Sequence, residues 1–296
     1  MADQFIEQPM AEALVSVRAP IETASKIMAS PDHPQYTADK AVAKELVGGR
    51  SGLIAAIDGV GSGGQISAQA AEIVQQNLGG LETQLATPTT INQGVTHLKN
   101  SIFGGTAQIR ELQRAGGNSD VDTTVSAGMV CESPDGKRRF LVSANVGDSR
   151  IYRYRPNSGA VDQLTVDHSL VQSLVSAGMV SPDEAFTHPQ RNIVYRTIGS
   201  LKTPNDIDFR VTEIQDGDIF LAVSDGVSDN ITPQGLPVAV HSEFQAAYDP
   251  IQKKPDLKKL ASGLAQRARN IQTGTQAVHA KPDDICVAVL RAPRAK

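Results

Sequence analysis

Three strand-like segments joined by tight turns lie within residues 122–155, and they constrain the fold more than any other feature. The first segment, "TTVSAGMVC", ends at "SPDGK", where Asp135 and Gly136 have the residue types of a hairpin turn. The second, "RRFLVSANV", alternates apolar residues onto one face, and "GDS" then turns the chain into "RIYRYR". Three successive strands with such short connections predict an antiparallel sheet.

Further strands and helices are distributed along the rest of the chain. Strand patterns occupy residues 208–214, 218–225 and 284–291, and helical periodicity occupies residues 67–77, 91–114 and 256–269. The stretch "SPDE" at residues 181–184 is a capping box with proline at the first helical position, which predicts a short helix. Since there is no internal repeat and no long linker, the pattern predicts one α+β domain over residues 1–296.

Composition and charge exclude several classes of protein. The chain has 296 residues with 40% hydrophobic and 20% charged residues, which is typical of a folded globular protein. Its net charge of −4 and the lack of a basic run argue against a nucleic-acid partner. No apolar run approaches the ~20 residues that a membrane helix requires. The two cysteines form no C-x-x-C motif and the N-terminus lacks a signal-peptide pattern, so we expect a cytoplasmic protein.

The stretch "LIAAIDGVGSGG" at residues 53–64 has two incompatible interpretations. Its glycines satisfy G-x-G-x-x-G after a strand and before a helix, as in a dinucleotide-binding fold. That fold requires a second parallel strand ending in an acidic residue, but Glu82 at the expected spacing follows no apolar strand. The neighbouring strand pattern is also antiparallel, so the aspartate that ends the strand, Asp58, becomes the more informative residue.

Five aspartates lie next to predicted strands. They are Asp39, Asp58, Asp148, Asp225 and Asp283. Any one of them alone is best interpreted as a turn or cap residue. Together they suggest an all-oxygen site of the kind that hard divalent cations prefer. The six histidines show no paired ligand spacing, which argues against zinc.

Several motifs together resemble the metal-dependent serine/threonine phosphatases of the PP2C type. In order they are "AAIDGVGSGG", "TTVSAGMV", "LVSANVGDSRIYRY", "LTVDHSLVQSLVSAGMVSPDEAFTHPQRNIVYRTIG", "GDIFLAVSDGVSD" and "PDDICVAVL". The resemblance covers about residues 39–290. It implies a four-layer α-β-β-α sandwich, in which two antiparallel sheets pack face to face with helices outside.

The resemblance also implies a metal site and a reaction. It implies that Asp58 bridges two Mg²⁺ or Mn²⁺ ions, that the Gly59 carbonyl helps to hold one of them, and that Asp225 and Asp283 hold the other. Asp39 matches a position that contacts an ion through water, and Asp148 with Asp225 resembles the pair that binds a third ion. The resemblance implies hydrolysis of phosphoserine and phosphothreonine by a water that the two ions activate, with Asp58, Asp225 and Asp283 at the catalytic centre.

One departure from the family pattern leaves a second function open. Family members usually carry an arginine before the first aspartate that grips the substrate phosphate, but "SPDHPQYTAD" contains none. Arg18 and His33 are the candidates to replace it, and both also suit ordinary surface positions. The alternative to an active enzyme is therefore a weak or inactive pseudophosphatase that serves as a binding module.

Residues 165–199 resemble the flap beside the active site of this family. Either the flap selects substrates, in which case Glu184 and His188 are the residues to exchange, or it is a helical excursion packed on the sandwich. The resemblance implies a phosphorylated protein as substrate, with a serine/threonine kinase or its targets as the expected partners, and we expect a monomer.

Overall fold

Two five-stranded antiparallel sheets lie face to face in the computed structural model, which describes residues 20–62, 64–117, 120–274 and 280–292. The strands are β1 (Glu22–Met28), β2 (Lys40–Leu46), β3 (Ser51–Ile57), β4 (Gly59–Val60), β5 (Asp122–Thr123), β6 (Val125–Glu132), β7 (Arg139–Val146), β8 (Arg150–Arg155), β9 (Ala160–Gln163), β10 (Asp208–Glu213), β11 (Ile219–Val223), β12 (Tyr248–Asp249), β13 (Lys254–Pro255) and β14 (Ile285–Arg291).

Helices cover the outer faces of both sheets and form one excursion. The α-helices are α1 (Gln65–Gly79), α2 (Leu81–Gln84), α3 (Ile91–Gly116), α4 (Leu170–Ser176), α5 (Pro182–Thr187), α6 (Asp225–Ser228), α7 (Gly235–Ala247) and α8 (Leu257–Thr273), and Pro204–Asp206 forms one 3₁₀ turn.

The strand order places the ends of distant segments side by side. One sheet has the order β1-β14-β11-β8-β9 and the other has the order β10-β7-β6-β3-β2. In the second sheet Ile57, at the end of β3, pairs with Lys40, at the start of β2. In the first, Val223 at the end of β11 pairs with both Arg150 and Val287, near the starts of β8 and β14. Loops that follow or precede these positions therefore meet at one end of the sandwich.

Three apolar layers hold the sandwich together. Fully buried side chains such as Ile54, Leu141 and Phe220 fill the space between the two sheets. A second layer joins the β10-β7-β6-β3-β2 sheet to α1 and α3, and a third joins the other sheet to α7 and α8. Each large side chain buried in this way contributes about 1.5–3 kcal/mol of transfer free energy. The expected four-layer α-β-β-α sandwich is confirmed.

Local signals account for most element boundaries. The hairpin between β6 and β7 turns at Gly136, whose φ of 67° lies in the region that favours glycine. Ser181 and Glu184 form the expected capping box at the start of α5, and Asp256 caps α8 by accepting from two backbone N–H groups. Helices α1, α3 and α8 extend a few residues beyond their predicted limits.

Candidate active site

An acidic cleft of about 640 Å³ opens where the strand ends meet. Its lining includes Asp58, Gly59, Asp148, Asp225 and Asp283. Asp39 lies directly beside it, since the charges of Asp58 and Asp39 act on each other. The structure thus brings all five strand-end aspartates to one place, although they are spread over more than 240 positions of the sequence.

Each aspartate is positioned by the strand next to it. Asp58 directly follows β3, Asp39 precedes β2, and Asp148 lies in the short turn between β7 and β8. Asp225 is the first residue of α6 after β11, and Asp283 lies two residues before β14. The backbone carbonyl of Asp58 accepts hydrogen bonds from Thr124 N at 2.8 Å and from Thr123 Oγ1 at 2.7 Å. The turn that presents the Asp58 carboxylate is therefore fixed.

Asp58 lies in an unfavourable electrostatic environment for a carboxylate. It is only 8% exposed. Burial raises its pKa well above the ordinary value, and the charges of Asp225, Asp39, Asp283 and Asp148 raise it further. The site therefore carries negative charge that the surrounding protein does not balance.

Two carboxylate oxygens in this cluster have no hydrogen-bond partner among the described residues. They are Oδ2 of Asp39 and Oδ1 of Asp148, and both are buried. Burial is the main cause that raises the pKa of both side chains well above the ordinary value. Unpaired buried oxygens are rare and require an explanation. A divalent cation suits them, because hard cations take carboxylate oxygens as ligands, so the residues present fit the metal that the resemblance implies.

Asp225 and Asp283 differ from the other carboxylates because they have a cationic partner. The Lys281 ammonium forms ion pairs with Asp225 and, at 2.9 Å, with Asp283. Burial disfavours the charged form of Lys281, but these carboxylates outweigh that effect and raise its pKa well above the usual value. Burial and the charge of Asp225 raise the pKa of Asp283 to about 6, although Lys281 opposes that shift. Within the described chain no three His, Cys, Asp or Glu side chains are arranged to hold a metal ion as they stand.

The glycines after Asp58 and Asp225 lie where a side chain would meet neighbouring backbone. A Cβ at Gly59 would lie 2.5 Å from the backbone oxygen of Ser67, and one at Gly226 would lie 1.7 Å from the backbone oxygen of Asp284. The clash is therefore with neighbouring backbone, not with ions or phosphate. Glycine lets α1 and the segment before β14 approach the two aspartates closely.

Of the two candidates for the phosphate-binding position, Arg18 and His33, the structure describes His33. Arg18 lies outside the described residues. His33 lines the cleft, stacks on Tyr36 with ring centroids 4.4 Å apart, and places Nδ1 3.7 Å from Oδ1 of Asp284. Asp284 in turn accepts from the backbone N–H groups of Ser30 at 2.6 Å and Ala38 at 2.5 Å. It therefore ties the segment that carries His33 to the cleft.

The segment resembling a flap reaches the cleft through residues that the sequence did not single out. Asn192, Val194 and Thr197 line the cleft. Asp122, also in the lining, accepts hydrogen bonds from Thr197 Oγ1 and from Gly199 N, each at 2.7 Å. The only sequence signal for Asp122 was its place just before a strand.

Neither Glu184 nor His188 is part of the cleft lining. The Glu184 carboxylate accepts from Ser181 N at 2.7 Å and closes the capping box of α5. The His188 ring accepts from the backbone N–H of Gln190 at 3.1 Å. Both residues thus have local structural partners.

Both cysteines are buried within strands. Burial raises the pKa of the Cys131 thiol to about 11 and raises that of Cys286 well above its usual value. Neither thiol is therefore suited to act as a nucleophile. None of the helices among the described residues has the length and apolar character needed to cross a membrane.

Comparison with known proteins identifies the class to which this fold and site belong. No protein-family model matches the chain. A protein of Streptococcus pyogenes serotype M6 named as a protein phosphatase 2C-type is 32% identical over 176 residues, which are 60% of this chain and 68% of that protein.

Solved structures share the fold. A serine/threonine phosphatase of S. agalactiae superposes with a TM-score of 0.71 and 24% identity, covering 91% of this chain and 98% of that one. The catalytic domain of the serine/threonine protein phosphatase PstP, crystallised with two manganese ions, superposes with a TM-score of 0.68 and 20% identity, covering 93% of this chain and 99% of that one.

The chain belongs to the PP2C family of protein phosphatases. The predictions of family, fold class and enzyme class are confirmed, and the inactive alternative is not favoured.

Proposed function

We propose that this protein hydrolyses phosphoserine and phosphothreonine monoesters on proteins at the acidic cleft, with Mg²⁺ or Mn²⁺ as cofactor. The single observation that carries the proposal is the convergence of five aspartates from separate segments, four buried and Asp283 half-buried, on one open cleft. Burial and the neighbouring carboxylates raise the pKa values of Asp39, Asp58 and Asp148, and the carboxylates of Asp39 and Asp148 each keep one unpartnered oxygen. Burying several carboxylates together is unfavourable unless cations balance their charge, and the apolar layers that hold the fold together do not depend on this cluster.

We take the ligand roles from the resemblance to the family. We assign Asp58 to both ions of a central pair. The Gly59 carbonyl would help to hold one of these ions, and Asp225 and Asp283 would hold the other. Asp39, deeper in the protein, would act on that pair through water, and Asp148 with Asp225 would hold a third ion. When bound, the ions would lower the pKa of a water molecule and offset charge on the phosphoryl oxygens.

The remaining residues of the cleft orient the substrate. His33 lines the cleft, and we assign its ring to the phosphate group of the substrate. Asn192, Val194 and Thr197 line the side toward the flap, so they contact the residues that flank the phosphorylated side chain. The leaving serine or threonine alkoxide must take up a proton. Carboxylates that hold ions would not supply it, so the proton would come from solvent or from another residue of the cleft lining.

Aryl-phosphate hydrolysis with and without Mn²⁺ tests the proposal. We expect release that depends on Mn²⁺ or Mg²⁺ and stops with EDTA, and faster release from phosphoserine and phosphothreonine peptides than from phosphotyrosine peptides. Glu72→Gln, which removes an exposed negative charge on α1, is the matched control for Asp58→Asn. Metal binding without turnover of any phosphopeptide would contradict the proposal and favour a binding module.

A further inference from the structure

Lys281 is a cation already placed among the proposed metal ligands. Its ammonium contacts Asp225, lies 2.9 Å from Asp283 and lies 3.5 Å from Asp229. The Lys281 side chain is 18% exposed, and it lines the cleft. One ammonium therefore faces three carboxylates, two of which are assigned above as ligands.

The position of Lys281 is determined by the backbone around it. Asn230, which is 5% exposed, accepts from Lys281 N at 2.9 Å and donates to the Lys281 carbonyl at 3.0 Å. The same Asn230 amide donates to the carbonyl of Gly226, beside Asp225, at 2.9 Å. One buried side chain thus couples the segment that carries Lys281 to the turn that carries Asp225.

The ammonium and a divalent ion would draw on the same oxygens. An ion held by Asp225 and Asp283 needs their lone pairs, and those oxygens now point at Lys281. Two positive charges in contact also repel each other. The long lysine side chain can leave this position because the cleft is open to solvent.

We propose that Lys281 is a built-in counter-cation of the site, which holds Asp225 and Asp283 in the metal-free protein and must release them when an ion binds to these two carboxylates. The inference rests on the ligand assignment proposed above. Lys281 then has two opposite effects that share one cause. It stabilises the metal-free protein, and it weakens binding of the ion that Asp225 and Asp283 share.

Calorimetric titration with Mn²⁺ and thermal unfolding in EDTA test both effects in three variants. Lys281→Met removes the charge but keeps an unbranched side chain, and we expect the Mn²⁺ ion that Asp225 and Asp283 share to bind at least about tenfold more tightly. The same variant should unfold at a temperature several degrees lower in EDTA, because the carboxylates of Asp225 and Asp283 lose their cationic partner. Lys281→Arg keeps the charge and should behave like the parent in both measurements. Lys44→Met, which breaks an exposed ion pair with Glu82, is the control and should change neither.

Unchanged or weaker Mn²⁺ binding by Lys281→Met would overturn the proposal, because a purely structural lysine can only support its carboxylates. If Lys281→Met does not fold in EDTA, a crystal structure of the parent protein with bound Mn²⁺ tests the proposal instead. We expect the ammonium to have left at least one of Asp225 and Asp283, and retention of both contacts beside bound ions would overturn the proposal. Neither readout requires turnover, so failure of the counter-cation proposal is distinguishable from failure of the proposed phosphatase activity.

Discussion

Two buried acidic regions lie close together in this protein. An arginine balances the negative charge of one, whereas the protein leaves much of the negative charge of the other unbalanced. Asp167 is 4% exposed, and its carboxylate accepts three hydrogen bonds from Arg150 at 2.7–3.0 Å. Asp58 and Asp148 are almost equally buried but sit among other carboxylates, which raise their pKa values beyond the effect of burial. The chain therefore supplies a fitted cation where a carboxylate has a structural role. Where it supplies none, or one lysine for three carboxylates, the charge is left for ions from solution.

Breaking the balanced region should have the largest effect on stability. Arg150→Met leaves the Asp167 carboxylate buried without its partner, so we expect the free energy of unfolding to fall by roughly 3–5 kcal/mol. Urea unfolding measures it, and the loss should be similar with Mn²⁺ and with EDTA because Arg150 is not a ligand. A loss that Mn²⁺ abolishes would show that the two regions are not separate.

Removing one charge from the unbalanced region should have the opposite sign in the metal-free protein. Asp148→Asn takes away a buried carboxylate with one unpartnered oxygen, so we expect unfolding in EDTA to require about 1 kcal/mol more. Turnover should fall by about tenfold, equivalent to 1.4 kcal/mol, while the tight Mn²⁺ sites keep their affinity. Loss of tight binding in the titration would place Asp148 at the central pair instead of at a third ion.

The pH dependence of stability separates the two regions in the same molecule. Burial together with Asp225 raises the pKa of Asp283 to about 6, and burial raises that of Asp58 from 3.8 well above it. These groups bind protons more tightly when folded, so their destabilising effect is absent below the ordinary aspartate pKa. It grows as the pH rises and is complete above the raised values.

In EDTA, the parent protein should therefore gain stability from these groups as the pH falls from 7.5 to about 5. Burial lowers the pKa of His168, which contributes a loss of stability over the same range, so the useful quantity is a difference between variants. As the pH falls, the thermal unfolding temperature of Asp58→Asn should rise less than that of the parent. That of Glu72→Gln should rise as much as that of the parent. Equal gains by Asp58→Asn and the parent would contradict the raised pKa of Asp58.

Changes in the flap should have the smallest effect. Glu184→Gln and His188→Gln alter residues that lie outside the cleft lining, so we expect aryl-phosphate turnover within about twofold of the parent, equivalent to 0.4 kcal/mol. If the flap selects substrates, the ratio of rates on two phosphopeptides should change more than the aryl-phosphate rate. Equal losses on all substrates would argue that these residues only hold α5 together.

Local patterns in the sequence predicted much of the fold because short-range physics determines those elements. Alternating residues in β7, the Asp135–Gly136 turn and the Ser181 capping box are each visible within about ten residues. The strand-end aspartates could also be selected, since carboxylates next to strands in related positions are unusual as a set. What the pattern could not supply was the pairing that brings them together.

Residues whose roles depend on distant neighbours were missed or misinterpreted. Asp284 holds the backbone of Ala38, which lies 246 positions away. Lys281 looks like an ordinary surface lysine in the sequence, and only its two-residue spacing from Asp283 signals a site. Gly59 was selected for its carbonyl, and no sequence pattern indicated that a Cβ there would meet the Ser67 backbone. Such contacts follow from sheet order, which no local window contains.

The most direct test of the unbalanced region as a metal site is calorimetric titration of Asp58→Asn with Mn²⁺. Asp58 is assigned to both central ions, so its loss leaves their mutual repulsion less compensated. We predict that Mn²⁺ affinity falls by at least about tenfold, or 1.4 kcal/mol, while thermal unfolding in EDTA shows a fold as stable as the parent or more stable. Two ions bound as tightly as in the parent would contradict the assignment.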